Sequence, residues 1–261
     1  MGSEVLEAKI IKMNPPNNVT QAPSYEDVVK TYGLEVLKPG GDLQITTTGG
    51  LERTSDGGLK FGDDRFNAMF RLVQRWRFNS PTLMVLFDSD VHARAQKQRS
   101  NEQRNRMNFA AQDANFVREF HALNDEIGAS EFGCAAYAGA IMVVLSNLLL
   151  RFGNDLKATD EDWKKSDPLV GGYSVGSVIR AAANSFRHHD EWARTNPPTP
   201  QQLPSIEVIA STLNEPTTRI RSNACPEVIQ ALSGGSYDQL NRNFFTFANN
   251  MVARRKKQGG A

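Results

Sequence analysis

From Asp63 to the C-terminus the apolar residues of this chain recur at three- and four-residue steps; before that point they come in short clusters broken by glycine and proline. The contrast predicts a helical body preceded by a small β element. Residues 1–23, with Pro15-Pro16-Asn17-Asn18 and Pro23, read as an extended lead-in. Ser24 followed by Asp27 resembles a capping box and predicts a short helix ending at Gly33. Residues 34–37, 42–46 and 58–61 alternate with Pro39-Gly40-Gly41, Gly49-Gly50 and Gly57-Gly58, the grammar of a meander or hairpin of three short strands. Such a sheet must lean on helices to be stable.

Within the body, Phe66, Met69, Phe70, Val73 and Trp76 form a helical stripe, with Asp63 and Asp64 at its start. Asn79-Ser80-Pro81 predicts a break, with Pro81 opening the next helix through Leu83, Leu86 and Phe87. Residues 89–108 are polar and read as a solvated helix extension or a loop. A helix over 109–127 follows, then Gly128, then an apolar helix to about Arg151. Residues 153–173 read as a polar connection. Ser174 caps a helix over 175–194, which Pro197-Pro198-Thr199-Pro200 stops. Helices over 205–213, 226–233 and 237–255 complete the chain. The expected architecture is mainly α, of α+β type: residues 1–23 lead in, 24–62 form the N-terminal β element, 63–255 form a helical bundle, and 256–261 form a tail.

Composition narrows the function classes. The net charge of +1 over 261 residues excludes attraction to nucleic acid by bulk charge. Charge is uneven, though: residues 65–106 hold nine Lys/Arg against Asp88, Asp90 and Glu102, so local basic surfaces are expected. Two cysteines, Cys134 and Cys225, are too few for a disulfide scaffold and suit a reducing cytoplasm. Met1-Gly2-Ser3-Glu4 carries neither the basic nor the apolar part of a secretory signal. Residues 132–150 lack charge over nineteen positions, the length of a membrane span. Tyr137, Ser146, Asn147 and the small residues in that run suit a helix packed on all sides by protein, and it is read as the central core helix, with no membrane partner.

The richest chemistry lies on the 175–194 helix. Val178, Ile179, Ala182, Ala183 and Phe186 form an apolar stripe, and Arg180, Asn184, Arg187 and Glu191, spaced 4, 3 and 4, line a second. His188 lies four residues from Asn184, with His189 beside it and Trp192 four residues on. An imidazole, a guanidinium, an amide and a carboxylate on neighbouring faces suit cleavage of RNA without metal. The imidazole moves the proton of the ribose hydroxyl or leaving oxygen. The guanidinium stabilises phosphorane charge, the amide orients the phosphate, and the carboxylate fixes the imidazole tautomer. The plainer reading makes Arg187 and Glu191 an ordinary helix pair, Asn184 a loop contact and Trp192 a core plug.

Other features carry less. His92 and His121 stand alone, and no spacing resembles a metal site. The Gly-Gly turns lack the Lys-Ser/Thr of a phosphate loop, so no cofactor is expected. Gly171-Gly172 reads as a tight turn into the 175–194 helix, and Gly172-Tyr173-Ser174-Val175-Gly176 matches a nucleophile elbow only in its letters. Residues 71–79 interleave Arg71, Arg75 and Arg77 with Trp76 and Phe78; core packing of the aromatics would leave Arg75 and Arg77 for solvent or RNA phosphates.

The tract Arg180-Ala181-Ala182-Ala183-Asn184-Ser185-Phe186-Arg187-His188-His189-Asp190-Glu191-Trp192 resembles that of HEPN-like helical proteins of prokaryotic antiphage and toxin–antitoxin systems. The resemblance covers about residues 110–195. It implies a helical bundle, usually dimeric, that cleaves RNA without metal through an Arg followed by a polar residue and a His. Arg187 with His188 matches the first half of that pattern, while positions 191–194 are Glu, Trp, Ala and Arg where the His of the pattern belongs. The resemblance therefore implies an RNA-cleaving or RNA-binding effector with Arg187 and His188 or His189 at its site; the stripe on the same helix adds Asn184 and Glu191 as positioning groups, and Arg180, Arg75 and Arg77 are read as contacts to RNA. The alternative is a non-catalytic interaction protein using the same stripe against a second copy or a partner from the same operon.

Overall fold

A computed structural model describes residues 21–37, 50–59, 63–109, 114–220 and 223–258. Eight α-helices are present among them: α1 (Tyr25–Thr31), α2 (Asp64–Asn105), α3 (Ala114–Leu156), α4 (Asp160–Lys165), α5 (Val175–Arg194), α6 (Leu203–Leu213), α7 (Cys225–Ser233) and α8 (Tyr237–Gln258). Two strands, β1 (Leu169–Val170) and β2 (Tyr173–Ser174), pair antiparallel between α4 and α5. The protein is thus a mainly α bundle with one small hairpin.

An antiparallel pair of long helices sets the frame. α2 runs 42 residues and α3 runs 43, each spanning about 60 Å at 1.5 Å per residue. Polar rungs fix their register: Arg75 Nη1 lies 2.8 Å from Asp155 Oδ2, Lys97 Nζ 2.9 Å from Glu131 Oε1, and Ser100 Oγ donates to Glu126 Oε2 at 2.8 Å. Asp63 caps α2, its Oδ1 accepting from the Phe66 N–H at 2.9 Å. Burial pushes the Asp63 carboxyl up, but the Phe66 N–H and Arg65 outweigh it and hold its pKa below the ordinary 3.8. The stabilising contribution of this cap is therefore present above pH 3.8 and lost as the pH falls through the lowered value. Asp63→Ala is expected to cost about 1 kcal/mol in thermal unfolding at neutral pH and progressively less below pH 3.8.

Two predicted breaks do not occur. Pro81 lies inside α2, and Gly128 lies inside α3. A proline in a helix costs about 3 kcal/mol, but Trp76, Leu83 and Phe87 around it are all buried, each contributing roughly 1.5–3 kcal/mol. Packing outweighs the lost bond. Asn79 Nδ2 also donates to the Arg75 carbonyl at 2.7 Å, and Tyr237 of α8 donates to the carbonyl of buried Ser80 at 3.1 Å. Residues 89–105 take the helical alternative, as the end of α2.

α3 is long and apolar enough to cross a membrane, and half of its most apolar window is buried within the bundle. Ala138, Ile141, Met142, Leu145, Leu149 and Phe152 form its buried face. α5, α7 and α8 pack onto the pair, with Phe244, Phe245 and Phe247 of α8 among the largest fully buried side chains.

One of the expected N-terminal strands is absent, and a hairpin that was not expected lies before α5. Residues 35–37, read as strand, form a 3-10 turn whose Leu37 is buried, because Leu34 and Leu37 both turn into the core beside α2. Arg53 and Leu59 form an isolated antiparallel bridge, and the expected strand over 42–46 lies outside the described residues. The hairpin falls in the stretch read as a polar connection. Gly171 and Gly172 have positive φ, +57° and +80°, and turn β1 into β2. A side chain at Gly171 would strike the Ser211 carbonyl of α6, so the turn must stay glycine.

Candidate functional site

Everything on α5 follows from how tightly it can approach α3. Ser174 caps it, with Oγ accepting from the Ser177 N–H at 3.2 Å. Gly139 of α3 has no side chain, and the Phe186 ring fills the space where a Cβ would be. Gly176 does the same for Phe247 of α8. The expected apolar stripe is buried at Val178, Ile179, Ala182 and Ala183.

The polar stripe is not one face. The helix kinks at His188 (φ −122°, ψ 17°), so residues beyond it leave the regular 100° progression. Trp192, expected beside the polar stripe, is turned inward and buried, in accord with the core-plug alternative. Asn184, His188, Glu191 and Trp192 line a cleft of about 490 Å³, closed on its far side by Gln202 and Ser205. His188 Nδ1 lies 3.3 Å from Glu191 Oε2. A carboxylate there favours the tautomer with its proton on Nδ1, leaving Nε2 as the basic nitrogen. Asn184 Nδ2 donates to Ser205 Oγ at 3.4 Å. The loop after α5 is held by the buried Gln202, which accepts from the Thr199 N–H at 2.9 Å and donates to Thr195 Oγ at 3.1 Å.

Arg187 and His189 are not gathered into that cleft. Arg187 is exposed and reaches across to α3, donating from Nη2 to Asn147 Oδ1 at 3.0 Å. His189 Nδ1 lies 2.9 Å from the Phe186 carbonyl and its Nε2 3.3 Å from Asp190. Its ring stacks on Phe186 at 6.3 Å between centroids. Arg180 is exposed, seven residues before Arg187 and on the same side of α5. The i,i+4 pair of Arg187 with Glu191 is replaced by the two separate contacts, with Asn147 and with His188.

Arg75 and Arg77 are engaged within the protein instead of being left to solvent. Arg75 binds Asp155, which also takes Arg71 at 3.2 Å; Asp56 meets Arg71 at 2.6 Å. Arg77 Nε donates to the Pro23 carbonyl at 2.6 Å, tying the segment before α1 to α2. The physical reason is the length of α2, whose partner α3 carries an acid opposite these turns. Asp155→Ala would leave two half-buried guanidiniums side by side and is expected to lower stability by about 1–3 kcal/mol, read by thermal denaturation.

Ser174 ends strand β2, but it is fully buried and donates to the Trp163 carbonyl at 2.5 Å, so it cannot act as a nucleophile. Among the described residues no group of three His, Cys, Asp or Glu could hold a metal. Cys134 and Cys225 are buried, with burial pushing the Cys225 thiol up to about 12. Sequence reasoning missed Asn147 as the partner of Arg187, and Thr195, Thr199, Gln202 and Ser205 as the far wall of the cleft. These contacts cross between elements and leave no spacing signal. No protein-family profile, curated protein or solved structure matches the chain.

Proposed function

We propose that the protein is a metal-independent RNA-cleaving or RNA-binding effector of a prokaryotic antiphage or toxin–antitoxin system, acting in the cytoplasm as a homodimer or with a partner protein. The observation that carries the reading is the His188–Glu191 pair opening on a cleft beside Asn184, with Arg187 the preceding residue. This is an acid–base group with its orienting carboxylate, next to a cation suited to phosphorane charge. The resemblance of residues 180–192 to HEPN-like proteins supports the same assignment. Asn184 would position a phosphate and Arg180 would meet the RNA backbone.

One observation favours the non-catalytic interaction reading: Arg187 bonds to Asn147 and does not line the cleft of His188. Under that reading the exposed 187–191 stripe is a contact surface. The deciding experiment is cleavage of total tRNA and rRNA in EDTA by the wild type, Arg187→Ala and His188→Ala. Specific cuts lost in both variants establish the ribonuclease. Intact RNA with wild type, or equal cutting by the variants, leaves the interaction reading.

A further inference from the structure

Three helix surfaces that meet near Asn147 share a property no single one reveals. α2 carries no acid from residue 65 to 87, α3 none from 132 to 154, and α5 none from 175 to 189. Gly139 lies against Phe186, while Gly153 and Ser174 both meet Trp163, so α5 runs antiparallel to α3. Arg180, on the Arg187 side of α5, therefore follows α3 toward the end that bears Arg151. Arg151, Arg180 and Arg187 are exposed, and no carboxylate pairs with any of them among the described residues. Between α2 and α3 a groove of about 240 Å³ is lined by Arg75, Asn79, Asn147 and Arg151. Asn147 joins it to Arg187.

We infer that this face, whose flanking acids Asp155 and Asp56 are both taken up by Arg71 and Arg75 at its edge, is a docking track for single-stranded RNA, with phosphates held by Arg151, Arg180 and Arg187. Asn79 and Asn147 add amide contacts to the backbone. Arg75, already neutralised by Asp155, forms part of the groove wall. The preference for a single strand comes from Phe78, next to Asn79 and 85% exposed. Such an aromatic offers a stacking platform to an unpaired base but nothing to a closed duplex. The track ends at Arg187, the residue before His188. The inference rests on the RNA reading above and adds where the strand lies.

The test is fluorescence anisotropy of the full chain with a labelled single-stranded RNA of about 20 nucleotides, between about 50 and 200 mM salt. Arg151→Gln and Arg180→Gln are each expected to weaken binding about fivefold to tenfold and to reduce the salt slope by about one. Phe78→Ala is expected to weaken single-stranded binding about tenfold and leave duplex binding unchanged. Arg219→Gln and Arg242→Gln, in surface pairs elsewhere, should bind as wild type. Wild-type affinity in Arg151→Gln or Arg180→Gln overturns the track, as does equal affinity of the wild type for a duplex of the same length. If RNA is bound through the track but never cut, the ribonuclease reading fails and the track stands. If His188→Ala abolishes cutting while Arg151→Gln binds and cuts normally, the reverse holds.

Discussion

His188→Ala is expected to slow RNA cleavage by about 10²–10⁴-fold, the range for loss of a positioned acid–base group. Its thermal midpoint should stay within about 2 °C of wild type, because an exposed side chain outside the core contributes little to stability. The His188 side chain is 49% exposed, and Glu191 is its only ion-pair partner among the described residues. Glu191→Gln should cause a smaller loss than His188→Ala: the amide can still meet Nδ1 but lacks the charge that favours one tautomer. Arg187→Ala should reduce cleavage by about 10²–10³-fold if its guanidinium meets the phosphorane. For that it must leave Asn147 when RNA binds. Asn147→Ala therefore separates the roles: it frees Arg187 without removing it, so the single-turnover rate at saturating protein should persist while RNA affinity falls by the loss of one amide contact. Single-turnover rates in EDTA measure all four, and equal rates for wild type and His188→Ala would remove the imidazole from the mechanism.

Gly139→Val is expected to be the most damaging single change at the α3–α5 contact. An added Cβ at Gly139 falls on the Phe186 ring, and valine adds two further methyl groups in a fully packed place. Overpacking of this kind costs typically 1–3 kcal/mol, roughly 2–10 °C in melting midpoint for a chain of this size. Phe186 is followed directly by Arg187 and His188, so the displaced ring should also impair RNA binding and cleavage. Phe186→Ala together with Gly139→Val should recover part of the loss, since the two changes share one volume. Gly128→Ala is the opposite control: nothing lies within 4 Å of its Cβ position, and the exchange should stabilise the helix by roughly 0.5–1 kcal/mol. A wild-type melting midpoint in Gly139→Val would show that α5 does not depend on this approach.

Much of the local structure was legible in residues 174–258. Ser174 before an apolar stripe, prolines after Arg194 and glycines after Ser233 all mark helix ends through backbone chemistry, which acts over three or four residues. The observed α5, α6, α7 and α8 begin and end within three residues of expectation. The failures share a cause. Pro81 and Gly128 are breakers by local energy, yet the long antiparallel pair supplies enough burial to continue through both. Residues 35–37 resemble a strand by composition but take a 3-10 turn, because the burial of Leu34 and Leu37 decides the backbone.

The candidate site divides in the same way. The sequence by itself determined that amide, guanidinium, imidazole and carboxylate would share one helix, because helical spacing is a property of the backbone. It also placed Phe186 and the small residues on the face that packs inward. Only the tertiary structure decided which of these groups meet. The kink at His188 turns Glu191 to the imidazole and Trp192 to the core, and α3 offers Asn147 to Arg187. Asp155 likewise claims Arg75, and the Pro23 carbonyl claims Arg77. Periodicity reports which face a residue occupies. The partner on that face comes from elsewhere in the chain, and pairing depends on where packing brings the two elements together.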